Sequence, residues 1–86
     1  MKRAKAQDLN VYLHKPELLG LSRTEWLFYI DEYIFNERNR MLLKRRILDG
    51  LTYERLAIEF DMSVRQIKYI LKEKELYLFQ IITKKS

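Results

Sequence analysis

In the stretch IEFDMSVRQIK, residues 58–68, one helix has to stop and another has to start with almost no chain between them. Ser63 with Gln66 three residues later is a capping box, in which side chain and backbone at a helix start satisfy each other's hydrogen bonds. Met62 just before it and Ile67 just inside can close a hydrophobic staple over the same start. Upstream, Thr52 is a further N-cap, and Glu54 in the first turn meets the positive end of a helix dipole. The spacing predicts a helix over about 53–60, a corner at Asp61 and a new helix from Val64. Aspartate suits that corner because it tolerates left-handed and turn conformations. Two short helices on so brief a turn must cross steeply, which is helix-turn-helix geometry.

The apolar residues agree with this reading. Leu56 and Phe60 share one helical face, and Ile67 and Ile70 share another. Ala57 is small enough to let the two backbones approach where they cross. With Ile67, Ile70 and Leu71 turned inward, the second helix is expected to present Val64, Arg65, Gln66, Lys68, Tyr69 and Lys72 outward. Arg65 and Lys68 can reach guanine edges or phosphates, Gln66 can pair with adenine, Val64 can meet a thymine methyl, and Tyr69 can bond a phosphate. In this motif the first turn of the second helix enters the major groove. The plainer alternative is that Arg65 and Lys68 only solvate an exposed face.

Charge favours a polyanionic partner. The net charge is +5, and residues 1–35 contribute none of it, with five Lys/Arg against five Asp/Glu. Residues 36–86 hold twelve cations and seven carboxylates, so the whole excess lies beside the helix-turn-helix. Arg40, Lys44, Arg45, Arg55, Ser63 and Lys72 are the candidate phosphate contacts. Cations near the termini, Lys2, Arg3, Lys5, Lys84 and Lys85, are equally readable as phosphate-touching arms or frayed ends.

The expected fold class is a small all-α domain, since no strand-type alternation is convincing in any segment. LYLFQII, 76–82, has strand-favouring residues, but Leu71, Glu75, Leu78, Phe79 and Ile82 keep helical spacing, so it reads as helix. Residues 1–21 read as a mobile arm and a short helical turn, with Pro16 at its start and Gly20 at its end. The helical domain is expected over 22–86, with the helix-turn-helix at about 52–72. Ser22 and Glu25 form a capping box, and Leu21 with Trp26 a staple, for a helix over roughly 23–35. In WLFYIDEYIF only Asp31 and Glu32 are charged, so this helix is apolar nearly all round and is expected to be the central core helix and part of a dimer contact. Trp26, Phe28, Tyr29, Tyr33 and Phe35 are the candidate dimer or partner surface; stacking on unpaired bases is the alternative use of those rings. Asn36-Glu37 marks a cap or bend before a helix over 38–48, whose apolar side is Met41, Leu42, Leu43, Ile47 and Leu48. Asp49-Gly50 ends it.

LTYERLAIEFDMSVRQIKYILKEKEL resembles the promoter-reading helix-turn-helix of region four in the sigma-seventy family of RNA polymerase sigma factors. Thr52, Glu54, Phe60, Asp61, Ser63, Ile67 and Ile70 fall where that family has like residues, and RMLLKRRILDG is similar to the helix leading into the motif. The resemblance covers roughly residues 36–79. It implies major-groove contact by Arg65, Gln66, Lys68 and Tyr69, phosphate contacts from the preceding helices, and kinship with small stand-alone regulators of phages and mobile elements. Residues 1–35 have no counterpart in it. The chain also has no room for the region that melts the promoter, so a complete sigma factor is not expected.

Other chemistry is poorly supplied. There is no cysteine and one histidine, His14, which reads as a surface loop residue, so no metal site or Ser-His couple can be assembled. Asp31 and Glu32 are adjacent on a helix and point in different directions, which suits solvent or salt-bridging roles. The expectation is no enzyme and no cofactor. No apolar run reaches the ~18 residues of a membrane span, and the basic start lacks an export signal, so a cytoplasmic location is expected. The expected partner is double-stranded DNA. The rival expectation is a protein-binding module on the same scaffold that docks on RNA polymerase or inhibits a host or defence complex. A homodimer fits either reading.

Overall fold

The computed structural model describes residues 6–13 and 15–84 of the chain, and among these residues the fold is all-α. The readings made for Lys2, Arg3, Lys5, His14 and Lys85 lie outside the described residues. A 3-10 helix over Ala6–Leu13 and a 3-10 turn over Pro16–Leu19 precede four α-helices: α1 (Arg23–Tyr33), α2 (Glu37–Leu43), α3 (Tyr53–Phe60) and α4 (Val64–Lys84).

Local chemistry sets the boundaries of these helices. At α1 the capping box is complete: the Glu25 N–H donates to Ser22 Oγ and the Ser22 N–H donates to Glu25 Oε1. Asn36 caps α2 through the Asn39 N–H, and Thr52 caps α3 through the Arg55 N–H. Gly20, at φ 70°, ends the Pro16 turn. The helix expected over 38–48 is interrupted. After α2 the chain widens into a π-helical turn, Lys44–Leu48, closed by the Asp49 N–H on the Lys44 carbonyl, with Gly50 at φ 69° behind it. In α2 Leu42 and Leu43 are fully buried and Met41 is exposed; past the extra residue of the π turn the register shifts, and Ile47 and Leu48 are half-buried.

α4 runs unbroken through the ambiguous 76–82 segment, and it, rather than α1, is the central helix. The Ala6–Leu13 helix, α1, α2 and α3 all pack on it. Its buried stripe is Ile67, Leu71, Glu75, Leu78 and Ile82, with Phe79 beside it. Phe79 is fully enclosed, with the rings of Tyr12 and Trp26 edge-on to it at 5.8 and 6.4 Å between centroids. This corrects two expectations. Trp26 belongs to the core and not to a partner surface. The described part of the segment before residue 22 is not an arm outside the domain, because Leu9, Tyr12 and Leu19 are buried in the same cluster as α4.

The elbow between α3 and α4 forms where the sequence demands it. Asp61 sits in the left-handed region at φ 54°, ψ 50°. Its N–H donates to the Ile58 carbonyl, and the Met62 N–H donates back to the Ala57 carbonyl at 3.0 Å. That pair of bonds is a Schellman motif, normally completed by glycine. Valine in place of Asp61 is expected to destabilise the domain by about 1–2 kcal/mol, whereas glycine should stay within about 0.5 kcal/mol of wild type, its relief of strain offset by its unfolded-state freedom. Urea titration of both variants checks this.

Candidate nucleic-acid interface

The first turn of α4 is built by its own residues. The Gln66 N–H donates to Ser63 Oγ at 3.1 Å, and the Ser63 N–H donates to Gln66 Oε1 at 3.0 Å. The capping box is therefore formed, and it occupies two candidate contacts. Ser63 spends its hydroxyl on the cap, since it also lies 3.2 Å from Gln66 Oε1. Gln66 keeps its side-chain amide nitrogen for another acceptor, while its carbonyl oxygen holds the helix start.

Beyond the cap, Arg65, Lys68, Tyr69 and Lys72 recur at helical spacing on one exposed ridge, and Tyr69 leaves 69% of its surface to solvent. Val64, expected to face outward with them, is half-buried and packs against the core. The physical reason is its position under the elbow, where Met62 and Ile70 are also drawn in. Two clefts flank the ridge. One, of about 390 Å³, lies between α2 and α4 and is lined by Arg38, Arg65, Gln66 and Tyr69 over Met62 and Ile70. The other, of about 320 Å³, is lined by Tyr53 of α3, Lys68 and Lys72 of α4, Leu13 and Glu75.

The candidate phosphate contacts divide sharply by what they already hold. Arg40 donates from Nη1 to the carbonyls of Ile34 and Phe35, at 2.9 and 3.0 Å, and so closes the end of α1. Lys44 Nζ pairs with Asp31 at 2.8 Å. Arg45 forks onto both oxygens of Glu59 at 2.7 and 2.9 Å and reaches Asp49 at 2.9 Å, tying the π-helical turn to α3. These hydrogen bonds from the guanidinium hold the Glu59 carboxyl below its ordinary range, and the same bonds, Glu59 first and Asp49 next, raise Arg45. Arg46, which sequence reasoning did not single out, donates to the Leu51 carbonyl at 2.7 Å and lies 4.3 Å over the Tyr53 ring. Arg40, Lys44 and Arg45 thus act as internal fasteners. Arg55, Arg65 and Lys72 are exposed with no ion pair among the described residues, and Lys68 is exposed with the Tyr53 ring 5.5 Å from its Nζ. Arg38 is the member that sequence reasoning missed. No local pattern marks it, because it reaches the α4 ridge only through the packing of α2 on α4.

The aromatic candidates scatter. Phe35 is 82% exposed and Phe28 57% exposed, while Tyr29 and Tyr33 are half-buried and stacked on each other at 6.0 Å. Tyr33, Phe35 and Tyr77 line a groove of about 410 Å³ away from the α4 ridge. Asp31 takes the salt-bridging role expected of it, with Lys44. No helix among the described residues is long and apolar enough to cross a membrane. Comparison with known protein families, characterised proteins and solved structures finds no significant match.

Proposed function

We propose that this chain is a sequence-specific double-stranded DNA-binding transcriptional regulator, acting in the cytoplasm, that reads the major groove with the first turns of α4. The observation that carries the reading is the distribution of uncommitted cations. Arg40, Lys44, Arg45 and Arg46 are consumed by the fold, and Arg65, Lys68 and Lys72, with Arg55 on α3, stand on the helix that follows the elbow or beside it. Lys15 and Lys84 are also exposed and without an ion pair among the described residues, but it is on α4 that three such cations recur along one helical ridge. Arg65 and the free amide nitrogen of Gln66 are the base readers; Arg38, Arg55, Lys68, Tyr69 and Lys72 position the helix on the phosphates. The resemblance to sigma region four supports the same geometry and adds the class of target, promoter-like duplex DNA. One protomer reads only a few base pairs, so useful affinity needs a two-fold site with a dimer, or a protein partner.

Selection of bound duplexes from a random pool tests the proposal: an enriched motif supports it, and a flat pool sinks it. With about four to five phosphate contacts per protomer, the logarithm of affinity should fall against the logarithm of salt with a slope of roughly −4. Arg65→Ala should lose about 1–3 kcal/mol of discrimination at one base position. Lys44→Ala should leave the salt slope unchanged, because Lys44 is already paired; a fall in that slope by about one unit would show that it meets phosphate instead.

A second reading rests on the exposed rings of Phe28 and Phe35, the two phenylalanines of the α1 region that the core leaves uncovered. It is a docking module for a protein such as RNA polymerase. Phe28→Ser combined with Phe35→Ser should abolish nuclease-resistant binding to purified polymerase under this reading and leave duplex binding intact under the first.

A further inference from the structure

Glu75 is the anomaly of the buried stripe of α4. It occupies the position between Leu71 and Leu78 where helical spacing calls for an apolar residue, and only 5% of its surface is exposed. The exposed remnant opens into the cleft between Tyr53, Lys68 and Lys72. The charged and titratable groups around it come from each element packed there. Arg46 from the π-helical turn acts on it through charge, Tyr53 comes from α3, Lys68 and Lys72 from its own helix, and the Ala6–Leu13 helix contributes the apolar Leu13. Tyr53 carries two cations against its ring, Arg46 Cζ at 4.3 Å and Lys68 Nζ at 5.5 Å. The result is a concave site with cationic walls, a phenol, and a carboxyl at its floor.

We propose that this cleft seats a backbone phosphate of the bound duplex, and that the carboxyl beneath it sets how tightly the phosphate is held. The inference rests on the DNA-binding reading and adds to it a phosphate site and its regulation. Lys68 and Lys72 meet the phosphate oxygens with charge, and the Tyr53 hydroxyl lies within the same lining. When Glu75 is neutral, the site is purely cationic and its carboxyl O–H can donate towards the anion. When Glu75 is ionised, its charge opposes the phosphate and competes for the same cations. Burial pushes the Glu75 carboxyl up to about 7, with Arg46 opposing that rise, so the two forms exchange around neutrality. By linkage, a bound phosphate must in turn favour the protonated carboxyl.

The experiment is duplex affinity at pH 6 and pH 8, at one ionic strength, for wild type and Glu75→Gln, using a duplex enriched from a random pool. His14 is present in both proteins, so the difference between them isolates Glu75. Wild type should bind at least about fivefold more tightly at pH 6 than at pH 8 in excess of the variant's own pH response. The variant should hold the tight affinity at pH 8. Carboxyl carbon-13 NMR should show the Glu75 titration moving to higher pH on addition of the duplex, and this movement should be reduced in Lys72→Ala. Duplex binding by wild type with the same pH response as Glu75→Gln, or an unmoved Glu75 titration, overturns the cleft site while leaving DNA reading intact. Absence of duplex binding at both pH values overturns both.

Discussion

Phe79→Ala is expected to destabilise the domain by about 3–5 kcal/mol, the upper range for truncating a buried aromatic side chain. The reason lies in how many elements meet at that ring. Phe79 is fully enclosed, Tyr12 from the N-terminal 3-10 helix approaches it edge-on, and so does Trp26 from α1. Removing the ring leaves a cavity walled by three separate segments, and it forfeits aromatic contacts worth about 0.5–1.5 kcal/mol each beyond area burial. The 3-10 helix is the element most dependent on it, because helices of that kind have poor internal hydrogen-bond geometry and hold only by docking. Phe28→Ala is the control: with 57% of its surface exposed, it should change stability by no more than about 0.5 kcal/mol. Denaturant unfolding of both variants measures the difference. A loss below about 1 kcal/mol for Phe79→Ala would mean that the N-terminal segment does not share this core.

Glu75 produces the second large effect, and its direction is unusual for a carboxylate. Its carboxyl is raised from an ordinary 4.5 to about 7 in the folded chain, first by desolvation, with Arg46 opposing. A group raised on folding lends its stability at pH values below the unfolded value and loses it as pH rises through the folded one. Wild type should therefore lose about 3 kcal/mol between pH 4.5 and pH 7.5, since each tenfold difference in proton affinity between the folded and unfolded chain is worth about 1.4 kcal/mol. Glu59 works in the other direction. The Arg45 hydrogen bonds hold its carboxyl low, so its stabilisation is present at neutral pH and fades only as pH falls below the ordinary carboxylate range. The pair places maximal stability in mildly acidic solution. Glu75→Gln should flatten the upper slope and make the variant the more stable protein at pH 8, by roughly 2–3 kcal/mol. Urea midpoints of both proteins at pH 5 and pH 8 read this directly; parallel pH responses would show that Glu75 is not buried beneath the cleft. A chain that keeps a destabilising buried acid beside its uncommitted cations is consistent with the phosphate-coupled role inferred for it.

The features legible in the residues are those decided within a few positions of each other. Ser22 with Glu25, Asn36 with Asn39, Thr52 with Arg55 and Ser63 with Gln66 are all bonds over three residues; three form at the predicted helix starts, and at Asn36, readable as a cap or a bend, the structure has the cap. The left-handed corner at Asp61 is equally local, since it needs only a tolerant residue and an apolar neighbour on each side. The ridge of Arg65, Lys68, Tyr69 and Lys72 follows from helical periodicity once that corner is known, so the core of the candidate interface could be read before any coordinates.

What tertiary structure alone decided is which of the cations remain available. Arg45 finds Glu59 fourteen residues away, Arg40 finds the last carbonyls beyond α1, and Arg38 arrives at the α4 ridge from another helix. The same holds for Leu9, Tyr12 and Trp26, whose burial depends on α4 passing between segments distant in the chain. A capping bond is chosen by neighbours that no fold can separate, whereas an ion pair or a buried ring is chosen by whichever surface packing brings near. Residue order therefore determined where the helices begin and which way the exposed α4 ridge faces, and only the packed molecule determined which charges are free to act there.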